Sequence, residues 1–136
     1  MKASDIMTLG AATISADASL FKALRIMLDH RISALPVLDE NDQLLGIITE
    51  GDFVRSGVLA FGELLAKGEL DRANALQSRT VSEIMSRNPI SISPESSIQD
   101  VVKLMEQHTL KRILVVSNGE ALGVISRVDL LRKLIE

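Results

Sequence analysis

The chain has 136 residues, 46% hydrophobic and 24% charged, and a net charge of −3. That length suits one compact domain, and that apolar content excludes a disordered chain. The acidic balance, with three phenylalanines and neither tryptophan nor tyrosine, argues against a nucleic-acid partner, and the lack of cysteine excludes disulfides, thiolate metal sites and a cysteine nucleophile.

Mean hydropathy is positive, at +0.24. Apolar surface is left over once a core is filled, which points to an oligomeric interface. No apolar run approaches the ~20 residues that span a bilayer, so no membrane partner is expected. The start, Met1-Lys2-Ala3-Ser4-Asp5, lacks the apolar segment of a signal peptide. The expectation is a soluble, cytoplasmic chain.

Asp5-Ile6-Met7-Thr8 predicts a short lead-in helix or turn, and Ala12 to Ser15 a brief strand. A helix opens at Asp17-Ala18-Ser19. Its stripe is Leu20, Ala23, Leu24, Met27 and Leu28, at i, i+3, i+4, i+7 and i+8. Phe21 and Ile26 widen the stripe, so the helix should be covered on more than one side. Leu35 to Leu38 predicts a strand, Asp39-Glu40-Asn41-Asp42 a hairpin turn, Leu44 to Thr49 the return strand, and Asp52 lies at the start of a second helix. The unit is β-α-β-β-α. Residues 56 to 80 read as an ordered helical connector, Glu63 to Lys67 and Leu70 to Leu76, interrupted at Gly68.

The unit then occurs again. A slide of 78 places Ser4-Asp5-Ile6-Met7-Thr8 on Ser82-Glu83-Ile84-Met85-Ser86, and Ser19, Met27, His30 and Val37 on Ser97, Met105, His108 and Val115. After one residue is dropped near Gln43, a slide of 77 places Leu45, Gly46, Ile48, Asp52 and Arg55 on Leu122, Gly123, Ile125, Asp129 and Arg132. This is a duplication of roughly 50 residues. Two copies predict a pseudo-twofold pair that shares a core and an inter-repeat cleft. The halves are residues 1–56 and 80–136, with a connector over 57–79.

The sharpest echo is Gly46-Ile47-Ile48-Thr49-Glu50-Gly51-Asp52 with Gly123-Val124-Ile125-Ser126-Arg127-Val128-Asp129. Thr49-x-x-Asp52 and Ser126-x-x-Asp129 both fit a capping box, in which a hydroxyl caps a helix and a carboxylate three residues on reaches back. Ser97-x-x-Asp100 is a third candidate. Capping alone explains the hydroxyl and the carboxylate, but not the matching surroundings.

These residues resemble a CBS-domain pair, also called a Bateman module, over essentially the whole chain. Asp5-Ile6-Met7-Thr8 and Glu83-Ile84-Met85-Ser86 resemble the family's opening. Ile32 to Val37 and Leu110 to Val115 resemble its central strand entry, and the two glycine-to-aspartate stretches its ending. The resemblance implies an α+β fold of two tandem β-α-β-β-α CBS repeats related by pseudo-twofold symmetry, with sheets packed against each other. It also implies clefts that bind AMP, ADP, ATP or S-adenosylmethionine, none of them an obligatory cofactor.

Carried over, the resemblance makes Asp52 and Asp129 acceptors for the ribose hydroxyls, with Thr49 or Ser126 beside the ribose or phosphate. It puts the adenine against Ile14, Ala34, Leu35 and Pro36 in one cleft and Ile92, Arg112 and Ile113 in the other. The roles fit the chemistry: a carboxylate accepts from two adjacent hydroxyls, and a helix N-terminus offers N–H groups to a phosphate. The second copy has Lys111, Arg112 and Arg127 where the first has Ser33, Ala34 and Glu50. The cleft with Asp129 is therefore the expected phosphate site.

His30 and His108 fall at equivalent helix ends, where a histidine complements the dipole or meets solvent. Without a histidine and carboxylate cluster at ligand spacing, no metal is expected. The five methionines sit mostly on apolar stripes as core filler. No P-loop, GxGxxG, nucleophile elbow or zinc signature is present, so no enzyme is expected. The expected function is a regulatory sensor of an adenosine-containing small molecule, acting on an unknown effector protein. The alternatives are a ligand-free dimerisation module and a regulatory fragment of a longer protein. Leu130, Leu131, Leu134 and Ile135 run apolar to the end. Such helices pair between subunits in the family, which implies a homodimer.

Overall fold

The structure is a computed structural model that describes residues 1–9 and 12–136. The elements begin with α1 (Ala3–Ile6), β1 (Thr8–Leu9), β2 (Ile14–Ser15), α2 (Leu20–Asp29), β3 (Ala34–Leu38), β4 (Leu44–Thr49) and α3 (Glu50–Arg55). Then come α4 (Phe61–Leu65), α5 (Glu69–Gln77), β5 (Ser86–Arg87), β6 (Ser91–Ile92), α6 (Ile98–Gln107), β7 (Arg112–Ser117), β8 (Glu120–Ser126) and α7 (Arg127–Lys133). They form two compact units. The central unit is residues 12–88; the terminal unit joins residues 1–9 to residues 89–136.

The central unit holds a sheet in the order β2-β3-β4-β5, parallel between β2 and β3 and antiparallel elsewhere. Its core gathers Ile14, Leu20, Ala23, Met27, Leu35, Val37, Ile48 and Phe53. Each large aliphatic side chain buried here contributes about 1.5–3 kcal/mol. Helix α2 starts because Ser19 caps it, accepting from the Lys22 N–H at 3.0 Å. Leu20, Ala23 and Met27 of the stripe are buried as predicted, but Leu28 is 67% exposed. It is the last apolar position before the helix ends at His30, and the chain turns away beneath it through Arg31 at φ 54°. Helices α4 and α5 occupy the connector. Leu64 is buried, and Leu76 packs against the core of this unit.

The terminal unit repeats the plan with the order β1-β8-β7-β6. Its core contains Ala3, Ile6, Ile92, Val101, Met105, Ile113, Val115 and Ile125. Ser97 caps α6, accepting from the Asp100 N–H at 3.1 Å. The turn between β7 and β8 carries Asn118 and Gly119, both at positive φ (52° and 79°), the conformation a tight hairpin requires.

The lead-ins are exchanged. β1 comes from the start of the first repeat but pairs with β8, through Thr8↔Val124 and Leu9↔Gly123. β5 comes from the start of the second repeat but pairs with β4, through Gly46↔Arg87 and Ile47↔Ser86. Upstream of β1, the Ala3 and Ser4 N–H groups donate to the Ser96 and Pro94 carbonyls. Upstream of β5, the Val81 N–H donates to the Ala18 carbonyl. Each repeat therefore completes the sheet of the other.

Candidate functional site

In the central unit, β4 runs into α3 at Thr49. The Thr49 hydroxyl accepts from the Asp52 N–H at 3.3 Å. Asp52 Oδ2 accepts from the Thr49 N–H at 2.8 Å and from its hydroxyl at 3.1 Å. This is a complete capping box. Oδ1 points elsewhere and accepts from the Ser86 hydroxyl at 3.1 Å.

The terminal unit builds the same corner. Asp129 Oδ2 accepts from the Ser126 N–H at 2.8 Å and from its hydroxyl at 2.9 Å, and the Asp129 N–H donates to that hydroxyl at 3.2 Å. Here Oδ1 faces a cation, Arg132 Nη1, at 3.3 Å. In both corners Oδ2 holds two donors, which fills its two lone pairs, so Oδ1 is the oxygen open to exchange.

Strand register decides which predicted residues meet. Ala34 lies directly opposite Thr49, and Arg112 opposite Ser126. Pro36 shares the Ala34 face of β3, since side chains alternate along a strand, but unlike Ala34 its side chain is fully buried. Leu35 and Ile113 point the other way and are core residues with 0% and 1% exposure. Ile14 pairs with Val37 and Ile92 with Val115, three positions along from Ala34 and Arg112, and both isoleucines are buried in their cores. Thus Ala34, Pro36, Thr49 and Asp52 are brought to one end of one sheet, and Arg112, Ser126 and Asp129 to one end of the other. Ile14, Leu35, Ile92 and Ile113 support those ends from beneath.

The helix N-termini offer less to an anion than the sequence suggests. The Glu50 N–H donates to the Ser33 carbonyl at 2.9 Å, and the Arg127 N–H to the Lys111 carbonyl at 3.0 Å. The third N–H of each helix is taken by the N-cap hydroxyl. Any phosphate contact must therefore come mainly from side chains. Lys111 and Arg127 are both exposed, and their backbone bond sets them side by side.

Two arginines were not assigned a role by the sequence reading. Arg55 and Arg132 end the motif in the two copies, four and three residues beyond the positions they contact. The Arg55 guanidinium lies over Gly51: a Cβ there would stand 2.5 Å from Nη1 and 2.6 Å from Nη2. Ser86 was also missed, although its place in the family-like opening was legible. Among the described residues, no group of three or more His, Asp or Glu side chains could hold a metal ion. The His30 Nδ1 lies 3.0 Å from the Ile26 carbonyl in its own helix.

A further feature of the terminal unit is an apolar groove of about 690 Å³ between α6 and α7, lined by Val102, Met105, Leu130, Leu131 and Leu134 among others. In the central unit the corresponding face, at Leu24 and Phe53, meets Phe61, Leu64, Leu65 and Leu76 of the connector around a cavity of only about 230 Å³.

Two copies of a strand, a capped aspartate and a short helix, each completed by the other copy's lead-in, define a tandem-repeat module. The CBS domain model matches residues 3–58 and 81–136, and the chain belongs to the CBS domain family. It is 31% identical to Hypoxic response protein 1 of Mycobacterium tuberculosis over 98% of this chain and 85% of that protein. The CBS domain of a CBS domain containing membrane protein from Sphaerobacter thermophilus superposes with a TM-score of 0.79 at 32% identity, covering 97% of this chain and 86% of that one. The CBS domain pair of protein MJ0100, in complex with 5′-methylthioadenosine and S-adenosyl-L-methionine, matches with a TM-score of 0.76 at 25% identity, covering 98% and 95%.

Proposed function

We propose that the chain is a regulatory module that binds an adenosine-containing small molecule through Asp52 and Asp129, with no catalytic step. One observation carries this reading. In both units an aspartate is fixed by its own N-cap through Oδ2, while among the described residues Oδ1 meets an exchangeable side chain, Ser86 or Arg132. Two vicinal ribose hydroxyls are the natural replacement for such a donor. The adenosine compounds bound by the MJ0100 pair support the ligand class. AMP, ADP, ATP and S-adenosylmethionine all fit it. Ala34, Pro36 and Thr49 accompany Asp52; Lys111, Arg112, Ser126 and Arg127 accompany Asp129. The three cations favour a phosphorylated ligand at Asp129.

Regulation follows only if the ligand binds one arrangement of the module more tightly than another. The reader of that change would be an effector protein in the cytoplasm. Thermal unfolding with AMP, ADP, ATP, S-adenosylmethionine and NAD tests the reading. A ligand at ~100 times its dissociation constant adds about 2.7 kcal/mol, several degrees in the midpoint. A rise with one of them, lost in Asp52→Ala or Asp129→Ala, is the expected result. No rise with any returns both motifs to helix caps.

A second reading has its own observation. The groove between α6 and α7, with Leu131, Leu134 and Ile135 largely exposed beside it, suits a homodimer whether or not a ligand binds.

A further inference from the structure

Resting on that reading, we infer that the residue immediately before the aspartate, Gly51 in one copy and Val128 in the other, sets the ligand charge each aspartate accepts by directing the arginine that follows. Gly51 leaves room over the first turn of α3, and the Arg55 guanidinium occupies it. Val128 puts a β-branched side chain at the equivalent place. Arg132 turns to the carboxylate instead, with Nη1 3.3 Å from Asp129 Oδ1. Asp52 Oδ1 is left to a neutral donor, the Ser86 hydroxyl.

The two carboxylates therefore start from different states. A diol reaching Asp52 displaces a hydroxyl and gives back a hydroxyl, with no change in charge pairing. A diol reaching Asp129 must displace a guanidinium from a carboxylate whose side chain is only 16% exposed. A ligand with a 5′-phosphate re-pairs that guanidinium, and Lys111 and Arg127 stand ready to join it. An uncharged nucleoside leaves it unpaired. Asp129 thus selects adenosine ligands that carry a 5′-anion, and Asp52 admits uncharged ones. Arg132 is the selector, and Val128 positions it.

The test is titration calorimetry of the full chain with AMP and with adenosine. The Asp129 site is read in an Asp52→Ala background, and the Asp52 site in an Asp129→Ala background. At the Asp129 site, AMP is expected to bind more tightly than adenosine. Arg132→Gln should lower that preference by roughly fivefold, modest because the arginine is largely exposed. Adenosine itself should bind more tightly in the variant, because its competitor for Oδ1 is gone. Val128→Gly should move both affinities the same way by giving Arg132 another seat. Gly51→Val should move the Asp52 site toward AMP. Arg132→Gln weakening AMP and adenosine by the same factor would overturn the selector and leave the binding reading intact. Failure of both ligands to bind the parent protein would overturn the binding reading and the selector with it.

Discussion

The Ser86 hydroxyl sits 3.1 Å from Asp52 Oδ1, although 34 residues separate the two in the chain. Strand β5 brings it there, because Ser86 lies opposite Ile47 on β4. The lead-in of the second repeat thus touches the carboxylate of the first. Its counterpart, Thr8, lies opposite Val124 on β8, five residues before Asp129. In the central unit, site and exchanged strand are one construction. A change at the carboxylate can be felt by the strand, and a change at the strand by the carboxylate.

Gly46 and Gly123 make that exchange possible. A Cβ on Gly46 would run into the Ser86 carbonyl oxygen and stand 3.3 Å from its carbon. A Cβ on Gly123 would stand 2.6 Å from the Thr8 carbonyl oxygen and 3.2 Å from Met7 Cβ. Backbone atoms of a paired strand give way only if the strand moves. Gly46→Ala and Gly123→Ala should each destabilise by about 1–3 kcal/mol. Urea unfolding gives the cost. Amide exchange should accelerate at Ser86 and Arg87 in the first variant and at Thr8 and Leu9 in the second. Unchanged protection there would mean the edge strands tolerate the displacement.

Asp52→Ala and Asp129→Ala should lose stability as well as ligand. Each removes the acceptor for an N-cap N–H and for the N-cap hydroxyl. The loss of such a cap costs about 1 kcal/mol. Asp→Asn keeps an acceptor for the N–H but weakens the pull on ribose hydroxyls. The expected pattern is a lowered midpoint in both alanine variants, a smaller drop in the asparagine variants, and a ligand-induced rise absent from all at the affected site. An alanine variant with an unaltered midpoint would show that the box contributes nothing.

Much of this was legible in the sequence because it is local. The stripe at 3.6-residue spacing marked α2, and the hydroxyl-x-x-carboxylate spacing marked both corners. Duplication made the local signals mutually supporting. Leu28 was misread because the stripe continues to the helix end while the core beneath it does not. Strands β1 and β5 were not legible as strands: two residues carry no periodicity, and their partners lie over 100 and about 40 residues away. The two glycines were visible at equivalent positions, but their reason is the close approach of an exchanged strand. The Arg55 and Arg132 contacts depend on side-chain direction, although the difference that directs them, Gly51 against Val128, stands in the sequence.

Acid should weaken the central unit through Glu83. Its carboxyl is held below the ordinary glutamate range, first by the Thr80 N–H at 2.6 Å and then by the Arg79 guanidinium at 3.2 Å. A depressed folded-state pKa contributes stability that is present above the unfolded value, about 4.3 for glutamate, and is lost as pH falls through the folded value. The difference in stability between the wild type and Glu83→Gln should therefore be largest near neutrality and shrink on acidification. Urea unfolding across the acid range reads it. A difference that stays constant down to the lowest pH would mean the carboxylate charge plays no part.

The uncovered face of the terminal unit should mediate dimerisation. Leu24 and Phe53 of the central unit correspond to Val102 and Leu130 of the terminal unit. The connector helices cover the first pair, whereas the second pair lines the open 690 Å³ groove. Leu131 is 61% exposed, Leu134 80% and Ile135 88%. Exposed apolar area of this kind is removed from water most simply by the same surface on a second copy, which closes with twofold symmetry. Sedimentation should show a dimer, and Leu131→Glu should convert it to a monomer with unchanged circular dichroism, because Leu131 supports no core in its own chain. A wild type that remains monomeric at about 1 mM, where even a millimolar dimer is populated, would mean that the groove serves a different partner.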